Sequence, residues 1–102
     1  MKTQQPNEQA WRLLVLLLKN IAIEKGISHY AIADATGLHQ SNVNRFFNLH
    51  YTPRLDLFLK IAGAIGVNFF FEDKDNLDIN YNKLMEQAMT QLGRRPDNLP
   101  KN

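Results

Sequence analysis

Cysteine is absent from the chain, so disulfides and thiolate metal sites are excluded, which suits a reducing cytoplasm. Long apolar runs are missing too. The longest, Leu13 to Leu18, is six residues, against the roughly 20 that span a bilayer, and it is too short for the apolar core of a secretory signal. No membrane role is expected, and the chain reads as soluble and cytoplasmic. The three histidines, His29, His39 and His50, lack the i, i+4 or short-loop spacing of a metal cluster and read as surface or cap residues. No Gly-rich phosphate loop, nucleophile elbow or metal-ligand spacing is present. The sequence therefore argues against an enzyme, and no cofactor is implied.

A chain of 102 residues, 44% of them hydrophobic, suits one domain spanning 1–102. The formal net charge is only +2, but its distribution is informative. From Gly37 to Leu55 there is no acidic residue, while Arg45, Arg54 and several amides fall within that stretch. Between Glu72 and Glu86 the acids Glu72, Asp73, Asp75, Asp78 and Glu86 outweigh Lys74 and Lys83. One part of the chain can approach phosphates and another avoids them.

The stretch SHYAIADATGLHQSNVNRFFN, Ser28 to Asn48, reads as a helix-turn-helix. Ser28 is an N-cap, Gly37 takes the positive φ that ends a helix over His29–Thr36, and Gln40 opens a second helix to about Asn48. The turn between them is short, as the motif requires. In the second helix Val43, Phe46 and Phe47 have the i, i+3, i+4 spacing of a buried stripe. The other side carries Ser41, Asn44, Arg45 and Asn48, with Gln40 at the tip and Asn42 at the flank. Amides, a hydroxyl and a guanidinium without an acid are the groups that read base edges; the bland alternative is an ordinary polar face. His39 in the cap position caps more weakly than Ser or Asp.

The rest of the chain surrounds this motif. A first helix runs from Pro6 or Asn7 to about Lys25, with Trp11, Leu14, Leu18, Ile21 and Ala22 toward the motif. Leu13, Leu16 and Leu17 are then surplus apolar surface that calls for a cover, either the amphipathic C-terminal helix of the same chain or a second subunit. In the helix over His29–Thr36, Ile32, Ala33 and Tyr30 face inward. Leu49–Arg54 is a loop beside the second motif helix, so His50, Tyr51, Thr52 and Arg54 are candidates for phosphate contacts; for His50 and Tyr51 a plain solvated loop accounts for the residues equally well. A core helix follows over Leu55–Ile65, with apolar residues at Leu55, Phe58, Leu59, Ile61, Ala62 and Ile65 and with Asp56 complementing its dipole.

At Val67–Asp73, VNFFFED, the period changes to two, which predicts a β-strand. With no second strand in the chain, the same strand of another copy is the expected partner. A final helix from about Ile79 to Leu92 aligns Tyr81, Leu84, Met85, Ala88, Met89 and Leu92, a stripe that reads as packing. The expected layout is thus a DNA-binding core over 7–66, a strand-and-helix extension over 67–93 and an irregular basic tail over 94–102. That tail reads as solvated rather than as a DNA contact.

ISHYAIADATGLHQSNVNRFFN followed by TPRLDLFLKIAGAIGV resembles the Cro and phage lambda repressor-like (Xre-type) family, over about Ile21 to Val67. The resemblance implies a mostly α, lambda repressor-like bundle with four core helices, to which the strand and final helix are added here. It also implies a regulator that binds near-palindromic operators as a dimer. By position, Gln40 matches the Gln that commonly opens the family's reading helix, Ser41 and Asn44 fall on family positions that meet base edges, and His29 and Asn48 on residues that touch phosphate. His29 stands where the family often has Gln, His39 where Ser, Thr or Gly is usual, and Arg54 where a capping Ser is common.

Together these readings predict a sequence-specific transcriptional repressor. Gln40, Ser41, Asn44 and Arg45 would read bases; His29, Asn48, His50, Tyr51, Thr52 and Arg54 would hold phosphates. A homodimer interface is expected from Phe69, Phe70, Phe71, Leu13, Leu17, Met85 and Met89. The alternative is an antitoxin-like or other interaction module that uses residues 67–93 to hold a protein partner such as a toxin.

Overall fold

Helix boundaries fall where the capping residues put them. The computed structural model describes residues 6–69, 73–76 and 78–93, and five helices lie among them: α1 (Pro6–Glu24), α2 (His29–Thr36), α3 (Gln40–Phe47), α4 (Leu55–Ile65) and α5 (Tyr81–Leu92). Ser28 is extended, and its Oγ accepts from the Ala31 N–H at 3.0 Å, satisfying a donor that the first helical turn leaves free. Gly37, at φ 78°, donates its N–H to Ala33 O and closes α2.

Three helices end in the same reversed pattern. Ile27 N–H bonds to Ala22 O after α1, His50 N–H to Arg45 O after α3, and Val67 N–H to Ala62 O after α4. These are the six-to-one bonds of the Schellman motif, which needs a left-handed residue just before the donor. Gly26 and Gly66 supply it after α1 and α4, whereas after α3 it is Leu49, at φ 62°.

The chain divides into two compact units, Met1–Val67 and Asn68–Asn102. In the first, α2 packs on α3 and α4, and α1 packs on α3 and α4. Their shared core joins Val15, Leu18 and Ala22 of α1, Ile32 and Ala33 of α2, Val43, Phe46 and Phe47 of α3, and Phe58, Ile61, Ala62 and Ile65 of α4. Lys25 donates from Nζ to Ile65 O at 2.5 Å, placing a cation at the negative end of the α4 dipole.

Several inward assignments shift. Val15 is fully buried while Leu14 is half exposed, because a run that is apolar all round carries no periodicity to choose between neighbours. Tyr30, Leu55 and Leu59 are exposed; the helices that bear them bury narrower stripes than their apolar content suggested.

The expected β-strand is absent: among the described residues there is no strand, and the fold is helical with five helices. Val67 is taken up by the α4 cap through its bond to Ala62 O, and Asn68 and Phe69 continue without joining a ladder. Period-two patterning supplies a face, but a sheet also needs a neighbouring strand in register. Phe70, Phe71 and Glu72 lie outside the described residues. In the second unit, Asp73 Oδ1 accepts from Asp75 N–H and Asn76 Oδ1 from Asp78 N–H, the side-chain turns that these residue types favour. Asn80 Oδ1 caps α5 by accepting from Lys83 N–H at 3.0 Å, so the helix starts at Tyr81 rather than Ile79.

Two glycines give opposite expectations. A Cβ at either Gly37 or Gly63 meets nothing within 4 Å, but only Gly37 has a positive φ. Gly37→Ala should lose ~1–2 kcal/mol from left-handed strain, and Gly63→Ala in the α4 interior should gain ~0.5–1 kcal/mol, both read by urea unfolding of the full chain. His39 has N-cap backbone geometry (φ −71°, ψ 144°) with no side-chain capping bond. His39→Ser should therefore raise unfolding free energy by about 0.5–1 kcal/mol, visible as a higher Tm.

Candidate nucleic-acid interface

The geometry of α3 begins with what it buries. Val43, Phe46 and Phe47 are essentially inaccessible, and their rings fix the helix from two directions. Phe46 meets Phe47 edge-on at a centroid distance of 4.9 Å and Phe58 of α4 at 6.3 Å. Phe47 in turn stacks on His29 of α2 at 5.0 Å, with the ring planes 23° apart. Edge-on and offset contacts are the favoured aromatic arrangements, so the roll of α3 about its axis is set by the core.

That roll leaves Gln40, Ser41 and Arg45 exposed and Asn44 half-buried. Positions i, i+1, i+4 and i+5 form one helical side, so the four proposed base readers share a surface. Two of them are tied. Asn42 Oδ1 accepts from the Arg45 guanidinium, an i, i+3 pair along the helix, and Asn44 Oδ1 is bonded to His29 Nδ1. His29 therefore joins the polar side of α3 through its ring nitrogen, while its ring face rests on Phe47.

The expected phosphate contacts divide into two groups. Asn48, His50, Tyr51 and Thr52 are exposed on the segment leaving α3, whose direction is fixed by the Leu49 reversal. Arg54 precedes the first turn of α4 with an 85% exposed side chain, and its guanidinium meets Asp56 Oδ2 at 2.9 Å. A pair this exposed contributes little to stability, so a phosphate can exchange with the carboxylate at small cost. Asp56 also accepts from Leu57 N–H through Oδ1. It is thus a local competitor for Arg54 as well as a complement to the helix dipole.

Residues expected at a dimer interface are dispersed among different environments. Leu13 and Leu17 are 64% and 51% exposed on α1, with Leu16 and Ile23 exposed beside them. Phe69 is exposed, Met85 half-buried and Met89 buried; Phe70 and Phe71 lie outside the described residues.

Sequence reasoning missed the two tethers on α3. The Asn42 and Arg45 pair has a detectable i, i+3 spacing. The His29 and Asn44 pair spans two helices and has no local signature. Among the described residues no group of three or more His, Cys, Asp or Glu side chains could hold a metal ion, and no helix is long and apolar enough to cross a membrane.

Comparison with known proteins bears on the same region. The family model described as Helix-turn-helix matches residues 18–71, spanning the last turns of α1 and all of α2, α3 and α4. No curated protein and no solved structure matches the chain significantly. The matched segment is more than half of the sequence and has the motif at its centre, with Ser28 and Gly37 bounding α2 and α3 following the turn. The chain belongs to the Xre/Cro-type helix-turn-helix family of DNA-binding, transcription-regulating proteins.

Proposed function

We propose that the protein is a transcriptional repressor that reads a near-palindromic operator as a homodimer, with α3 in the major groove. The observation that carries this reading is the acid-free side of α3, where Gln40, Ser41, Asn44 and Arg45 share one surface on a helix whose opposite side is locked in the core. Arg can address guanine O6 and N7, and Asn or Gln can address adenine N6 and N7. Asn48, His50, Tyr51, Thr52 and Arg54 then donate hydrogen bonds to backbone phosphates and set position and register. Binding then displaces counterions and weakens as salt rises.

The dimer is supported by the uncovered apolar face of α1, where Leu13, Leu16, Leu17 and Ile23 are exposed. A second copy covering that face removes it from water. An operator with half-sites about 34 Å apart matches one turn between two recognition helices. A protein partner seated on the same face is the competing occupant, and sedimentation of the purified chain separates the two.

Selection of duplexes from a random pool should enrich a palindromic motif. On that motif Asn44→Ala or Arg45→Ala should each cost about 1–3 kcal/mol of binding free energy, read by fluorescence anisotropy at fixed salt. An unenriched pool, together with wild-type affinity in both variants, sinks the assignment.

A further inference from the structure

The contact between His29 and Asn44 joins the first residue of α2 to the fifth residue of α3, and its chemistry restricts what each side chain can do. An amide oxygen only accepts hydrogen bonds, so the 2.5 Å contact to Asn44 Oδ1 is a hydrogen bond when His29 Nδ1 carries the proton. Nδ1 carries that proton both in the imidazolium and in the Nδ1–H tautomer. The ring cannot swing away cheaply, because its face rests on the buried Phe47 at 5.0 Å. Its orientation is therefore set by packing, and the proton is aimed by that packing.

A free Asn amide can turn by half a revolution about its last torsion, exchanging its donor group for its acceptor. To a base edge those two states are opposites: one meets an acceptor such as guanine O6 or thymine O4, the other a donor such as cytosine N4–H₂. A donor at His29 removes the symmetry. Oδ1 is held toward α2, and Nδ2–H₂ lies at the other end of the amide, with one lone pair of Oδ1 still available.

We propose that His29 is a positioning residue for sequence discrimination, which fixes the amide of Asn44 in one orientation instead of holding a phosphate. The proposal rests on the reading of α3 as the base-contacting helix. The two roles for His29 differ in what they contribute to. A phosphate ligand strengthens binding to every duplex and adds to the salt dependence. A positioning residue leaves that sequence-independent term alone and acts only at the base pair that Asn44 meets.

The test uses the full chain and four duplex sets: the selected operator, its single-base-pair variants, an unrelated duplex, and the operator over a salt series. Asn44→Ala identifies the base pair at which preference is lost. His29→Phe keeps a ring on Phe47 but removes the donor, and thermal unfolding confirms that the fold is retained. The expected result is a loss of preference at that one base pair of about five- to tenfold, the scale of one hydrogen bond. Binding to the unrelated duplex and the salt slope stay unchanged, and His29→Phe adds nothing in an Asn44→Ala background. His29→Gln, which restores a donor, recovers part of the preference. Uniform weakening on all duplexes with a salt slope reduced by about one overturns the proposal, as does full additivity of the two substitutions. If Asn44→Ala and Arg45→Ala both bind the operator like wild type, it is the base-reading role of α3 that fails.

Discussion

The structure of the first unit depends on the burial of Phe46 and Phe47. These adjacent residues fill the space between α2, α3 and α4, and each is worth roughly 1.5–3 kcal/mol relative to an exposed ring. Their joint burial also does something that burial of one residue cannot. A helix held by one side chain can roll about its axis, whereas two neighbouring rings, one against Phe58 and the other against His29, define the roll angle. The polar side of α3 inherits its direction from that constraint.

Much of this was legible in the residues. Ser28 and Gly37 announced the ends of α2, and the spacing of Val43, Phe46 and Phe47 announced the buried side of α3, because capping and helical periodicity are local effects. The first helix was less legible: in an unbroken apolar run Leu14 and Val15 look alike, and only the position of the neighbouring helices separates them. The VNFFFED segment misled for a related reason. Its alternation describes a face, but whether a face becomes a sheet depends on a partner, and the Schellman bond of Val67 commits the start of the segment to closing α4 instead. The link between His29 and Asn44 was not legible at all, since two side chains fifteen positions apart meet only after α2 and α3 have packed.

Electrostatics acts on a different scale from packing here. The region from Gly37 to Leu55 carries no carboxylate of its own, yet the first turn of α4 places Asp56 against Arg54. The helix dipole favours the acid at that position, and the arginine gains a partner in the absence of nucleic acid. An anion approaching Arg54 therefore meets a guanidinium already ordered by a weak pair, with a carboxylate that water can solvate once released.

Leu49 is the residue on which the loop turns. Gly26 and Gly66 make the same reversal without steric penalty, but a leucine at φ 62° bears about 1–2 kcal/mol of strain, and its side chain is packed against the core. Strain and packing thus oppose each other at one position. The bend that launches His50, Tyr51 and Thr52 is held by interior contact rather than by backbone freedom, so the loop has no independent hinge. The core that Leu49 packs against therefore bears on the direction of the loop as well as on the stability of the fold.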